Sequence, residues 1–124
     1  MKKMLIVDDA PSWRSYHEDA IRQIFKDEYE IITAASATEA NDFLYGYSEE
    51  PFDVILTYMQ MESDYLPLYA GEWFIEQVQK FDEYKNSRII IISAAPNIKF
   101  IAEKYGVEFI RKADCRFAEA YKII

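Results

Sequence analysis

The chain has 124 residues, of which 51% are hydrophobic and 16% aromatic, so a single domain over residues 1–124 with its own core is expected. Its net charge of −8 argues against direct nucleic-acid binding, which needs a basic face, and against an anionic membrane surface. The lone Cys115 excludes an internal disulfide and suits a reducing, cytoplasmic setting, and the apolar run at 4–7 is too short for a signal peptide or membrane span.

Residues 4–7 form an apolar run closed by Asp8 and Asp9, which reads as a buried strand with acids at its C-terminal end. Pro11 and Ser12 mark a helix start, and Trp13, Tyr16, Ala20, Ile21, Ile24 and Phe25 recur at helical spacing. Arg14, His17, Glu18 and Arg22 fill the other face. His17 is therefore expected as an ordinary exposed histidine, away from the strand ends. Residues 29–34 read as a second strand. Ser36 to Glu39 has the pattern of a capping box and opens a short helix to about Tyr45. Residues 54–58 are uniformly bulky, as in a strand covered on both sides.

A loop over 59–70 follows. A helix resumes at Gly71, with Phe74, Ile75, Val78 and Phe81 on one face. Residues 88–92 form a β-branched run ending at Ser93. Pro96 suits a first helical turn, and Ile98, Ile101, Ala102 and Tyr105 give the next stripe until Gly106 stops it. Residues 107–111 are a fifth strand. Asp114 can cap a last helix carrying Phe117, Tyr121 and Ile124. Five strands alternating with five helices predict an α/β fold, a doubly wound parallel sheet with helices on both faces and right-handed crossovers.

Ligand sites in such sheets lie outside the C-terminal strand ends. Strand one ends at Asp8 and Asp9, strand three at Tyr58, strand four at Ser93 and strand five at Lys112. Adjacent carboxylates favour a hard divalent cation such as Mg²⁺. A lysine and a hydroxyl opposite them suit phosphoryl oxygens. The plainer alternative is that the acids cap the next helix and Lys112 pairs with one of them.

These residues resemble the receiver domain of two-component response regulators over the whole chain. The likeness rests on LIVDD at 5–9, DVILTYMQM at 53–61, IIIISA at 89–94 and FIRKA at 109–113, in that order and spacing. It implies a flavodoxin-like fold with strand order 2-1-3-4-5. It implies Mg²⁺ held by Asp8, Asp9 and the backbone carbonyl of Gln60. Ser93 and Lys112 would contact the phosphoryl group, and Phe109 would be the aromatic switch. A histidine kinase or phosphotransfer protein would be the upstream partner. A downstream protein or output domain would read the face of helix four, strand five and helix five, including Lys99, Phe100, Glu103, Lys104 and Arg111. Homodimerisation is left open, and an enzyme is not implied.

Three departures stand out. The phosphoacceptor aspartate position holds Tyr58. The proline that usually follows the lysine is Ala113, so the Lys112–Ala113 bond is expected to be trans. The link after strand three is longer, at 62–70, and its Tyr65 and Tyr69 could fold over the crevice as a lid.

A phenol has an unperturbed pKa near ~10 and is a poor acceptor beside an ionised carboxylate. Its ring also takes space that Mg²⁺ and a phosphoryl group would occupy. Ordinary receiver phosphorylation is thus expected to be blocked and Mg²⁺ binding weakened. A substituted variant is favoured over a natural pseudo-receiver, because Asp8, Asp9, Ser93 and Lys112 all remain. The alternatives are a phosphorylation-independent interaction module and a flavodoxin-like electron carrier. DDAPSW lacks the Ser/Thr/Gly-rich turn that a flavin phosphate needs. A phosphohydrolase would call for Asp-x-Asp, and the position two beyond Asp8 is Ala10.

Overall fold

The structure is a computed structural model that describes residues 1–59 and 70–124. Five parallel strands form one sheet: β1 (Lys2–Val7), β2 (Tyr29–Ala34), β3 (Val54–Tyr58), β4 (Arg88–Ser93) and β5 (Glu108–Arg111), in the order β2-β1-β3-β4-β5. The expected order and parallel pairing are both present. The α-helices are α1 (Pro11–Phe25), α2 (Ala37–Gly46), α3 (Ala70–Lys80) and α4 (Ile98–Tyr105). The expected capping box is formed: the Ser36 hydroxyl accepts from the Glu39 N–H at 3.1 Å, and the Glu39 carboxylate accepts from the Ala35 N–H at 2.9 Å. Gly106 ends α4 in the left-handed conformation, with φ of 67°, which glycine adopts without steric cost.

Period-two alternation divides the core between the two sheet faces. Leu5, Val7, Ile55, Ile89 and Ile91 pack with Leu44, Phe74, Ile75, Val78 and Ile98 from α2, α3 and α4. Met4, Ile6, Val54, Leu56, Ile90, Ile92 and Ile110 pack with Ala20 and Ile21 of α1 and with Cys115 and Tyr121. Tyr58 shares the parity of Val54 and Leu56, and at the strand's end it packs against both clusters.

The fifth helical segment departs from expectation. It is two 3-10 helices, Lys112–Arg116 and Ala118–Ile123, separated by Phe117 in an extended conformation. Carbonyls in this segment are taken by side chains from elsewhere. Tyr16 donates its hydroxyl to the Cys115 carbonyl at 2.5 Å, and the Arg88 guanidinium donates to the Ile123 and Ile124 carbonyls at 2.7 and 2.5 Å. The Tyr16 bond occupies a carbonyl that a continuous α-helix would give to the fourth residue on, while the Arg88 bonds satisfy terminal carbonyls that no helix would pair. Phe117, expected on the buried stripe, is consequently exposed, while Tyr121 is buried.

At the other end of the crevice, α3 approaches the sheet closely. The Gly71 N–H donates to the Met59 carbonyl at 2.9 Å. A Cβ there would collide with the Tyr58 carbonyl oxygen and lie 2.5 Å from the Met59 Cα. Only glycine permits this contact, which anchors the backbone just beyond Tyr58.

Candidate functional site

Strand register brings the selected positions to one edge of the sheet. Val7 pairs with Thr57, Tyr58 with Ile92, and Ser93 with Arg111. Asp8, Tyr58, Ser93 and Lys112 therefore follow one another across the C-terminal ends of four adjacent strands. The predicted Gln60 carbonyl and the lid tyrosines Tyr65 and Tyr69 lie outside the described residues.

Tyr58 and Lys112 meet directly. The Lys112 ammonium donates to the Tyr58 hydroxyl at 2.7 Å. It also lies over two aromatic faces, 4.3 Å from the Tyr58 ring centroid and 4.8 Å from that of Trp13. Both distances are well within cation–π range. The lysine expected to pair with a phosphoryl oxygen thus has a hydroxyl acceptor and two ring faces supplied by the protein. Trp13, read from the sequence as a core or boundary aromatic, packs against the α1-side core and also forms one wall of this cage. The described residues contain no cis peptide bond, so Lys112–Ala113 is trans as expected.

Asp8 is also committed. It is 1% exposed. One carboxylate oxygen accepts from the Ala10 N–H at 3.0 Å, and the other lies 3.2 Å from His17 Nε2. The Arg14 guanidinium donates to the Asp8 carbonyl at 2.8 Å. His17, expected to be solvent-exposed and remote from the strand ends, is instead 2% exposed and in contact with the first of them. Its other ring nitrogen, Nδ1, lies 2.7 Å from the hydroxyl of the fully buried Tyr121.

Placing the hydrogen on Nε2 satisfies the whole chain of contacts: the Tyr121 O–H donates to Nδ1, and Nε2–H donates to the Asp8 carboxylate. Burial, and to a lesser degree the neighbouring Cys115 thiol, push the Tyr121 phenol well above the ordinary tyrosine range, so it keeps its proton to donate. The Cys115 thiol is likewise raised by burial.

A sequence signal for His17 existed. Trp13, His17, Ala20, Ile21 and Ile24 lie at i, i+4, i+7, i+8 and i+11, which is one helical face. Tyr16, assigned to the buried stripe, lies at its edge and is 38% exposed. Reading His17 as polar moved the stripe by one residue.

Ser93 is buried, and its hydroxyl accepts from the Ala95 N–H at 3.0 Å, closing the turn after β4. Phe109 is half-buried against the α2–α4 side core, with the Arg111 guanidinium 5.4 Å from its ring. Asp9 lies beside Asp8 and is half-exposed.

Among the described residues, the arrangement does not fit a divalent cation. Both oxygens of the buried Asp8 carboxylate are engaged, and the position where a phosphoacceptor aspartate was expected holds a phenol bound to Lys112. Among the described residues, no three His, Cys, Asp or Glu side chains form a group that could hold a metal ion.

The sheet order, the helices on both faces and the row of strand ends define a fold: that of the CheY-like receiver domains of response regulators, which the chain carries over nearly its whole length. It is similar to the chemotaxis response regulator CheY4 of Vibrio cholerae, with 27% identity and a TM-score of 0.74 over 99% of this chain and 94% of that one. A response regulator receiver domain protein from Clostridium thermocellum has 22% identity and a TM-score of 0.77, over 99% and 90% of the two chains. The Mn²⁺-bound form of the response regulator Rcp1 has 14% identity and a TM-score of 0.75, over 99% and 88%. No family model matches the chain, and no curated protein matches it. Among the described residues, no helix is long and apolar enough to cross a membrane.

Proposed function

We propose that this chain is a receiver module of two-component signalling whose crevice does not run on an acyl phosphate. One observation carries the reading: the Lys112 ammonium donates to the Tyr58 hydroxyl and lies between the Tyr58 and Trp13 rings. A phosphoryl group would need that lysine, and a carboxylate nucleophile where the phenol stands. Mg²⁺ binding is weakened for the same reason. The module is a cytoplasmic binding protein rather than an enzyme.

The upstream partner is a histidine kinase or phosphotransfer protein, engaged by docking. The output surface is the face of α4, β5 and the C-terminal segment. Lys99, Phe100, Glu103, Lys104 and Arg111 are all exposed there, with Phe100 at 68%. A groove lined by Phe109, Arg111, Phe117 and Ile123 opens beside them. The sequence favours a substituted variant, but Lys112 and Asp8 each have a replacement partner. Those pairings support the natural pseudo-receiver.

The test is incubation of the intact chain with Mg²⁺ and a small acyl-phosphate or phosphoramidate donor, followed by intact-mass measurement. No added phosphoryl mass is expected. Hydroxylamine-labile phosphorylation of the chain would refute the proposal.

A further inference from the structure

We infer that His17, backed by Tyr121, takes the place of a divalent cation at Asp8, so that the crevice is closed to metal by a device separate from Tyr58. The inference rests on reading the crevice as that of a receiver fold, and it goes beyond the tyrosine.

The geometry is that of a filled position. Asp8, His17 and Tyr121 are 1%, 2% and 0% exposed, and they form one chain of contacts at 3.2 and 2.7 Å. Two aromatic side chains hold the imidazole. Trp13 stacks on it with centroids 5.5 Å apart and planes at 29°, and Tyr121 meets it at 5.8 Å and 62°. Turning the imidazole away from Asp8 would break these ring contacts and the contact with the Tyr121 hydroxyl. The remaining Asp8 oxygen is fixed by the Ala10 N–H, which sets the entry to α1.

A metal ion of the Mg²⁺ class needs a carboxylate oxygen at about 2.0–2.1 Å in octahedral geometry. Turning Asp8 toward such an ion breaks the contact with Nε2 and leaves a buried N–H without an acceptor. A buried donor left without its partner is strongly disfavoured. His17 and the ion thus compete for one carboxylate. The three partners come from β1's end, α1 and the C-terminal segment, so the same contacts tie those elements together.

The experiment separates the two devices. Mn²⁺ affinity is measured, from the electron paramagnetic resonance of free Mn²⁺, for Tyr58→Asp alone and for Tyr58→Asp combined with His17→Leu and Tyr121→Phe. The triple variant is expected to bind at least about tenfold more tightly, the scale of one buried hydrogen bond no longer opposing the ion. Equal affinity in the two proteins would overturn the inference, while leaving the block by Tyr58 itself intact.

Should the triple variant not fold, the ring ¹⁵N signals of His17 in Tyr58→Asp are followed as Mg²⁺ is added. Loss of the Nε2–H contact with Asp8 as the ion binds, or no binding at all, supports the inference. Mg²⁺ bound at saturation with the His17 signals unchanged overturns it, because the ion then does not compete for the Asp8 carboxylate.

Discussion

Replacing Tyr121 with phenylalanine isolates one hydroxyl in a fully buried setting. The ring and its packing against Ile21, Ile110 and Cys115 on the α1 side stay in place. What disappears is the O–H that lies 2.7 Å from His17 Nδ1. That nitrogen is then a buried polar atom with no partner. The surrounding rings, Trp13 above all, leave it shielded from solvent. An orphaned buried group costs about 1–3 kcal/mol. We expect about 2 kcal/mol here, since the contact is short and both residues are at most 2% exposed. For a domain of this size that corresponds to a melting temperature lower by about 6–12 °C.

Urea unfolding monitored by far-ultraviolet circular dichroism gives the free energy directly. The slope with denaturant should be unchanged and the midpoint lower. A change below about 0.5 kcal/mol, the scale of an ordinary surface substitution, would refute the claim that His17 depends on Tyr121.

Gly71→Ala should destabilise the fold by about 1–3 kcal/mol, because its Cβ meets backbone atoms that cannot rotate away. The matched Gly46→Ala, with nothing within 4 Å, should be neutral or slightly stabilising; equal urea midpoints for the two would count against the close approach of α3. Alkaline pH should unfold the protein. Burial raises Tyr84 to about 12 and pushes Tyr121 up as well, so the folded state retains phenol protons that the unfolded chain releases near pH ~10. Stability is then intact below about pH 10 and falls above it by about 1.4 kcal/mol per pH unit for each such tyrosine, until its folded pKa is passed; a flat urea midpoint between about pH 10 and 11 would contradict this. Cys115 is fully buried, and its thiol is raised by burial. Labelling by a thiol reagent at neutral pH should therefore proceed only at the rate of opening, and labelling as fast as a free thiol would show that the C-terminal segment is not packed as described.

The sheet could be read from the chain because its signal is local. Runs of bulky β-branched residues at 54–58 and 88–92, alternating with helical stripes, admit a parallel sheet and little else. The strand-end rule then selected Asp8, Tyr58, Ser93 and Lys112 without reference to residue type, and the register places them on adjacent strands. The capping box at Ser36 and the stop at Gly106 were equally local.

What the sequence could not supply was the partner of each group. Polarity alone assigned His17 to solvent, because the scale that ranks side chains by burial carries no information on a buried acceptor 3.2 Å away. The last helix looked continuous because its residues are ordinary helix formers. Tyr16, which takes the Cys115 carbonyl, lies 99 residues away in sequence, and Arg88, which holds the last two carbonyls, lies 35–36 residues away. The position of Tyr58 at the centre of the crevice was thus determined by the sequence through periodicity. Its engagement with Lys112, and that of Asp8 with His17, was decided only by the tertiary structure, where α1, β3 and the C-terminal segment converge.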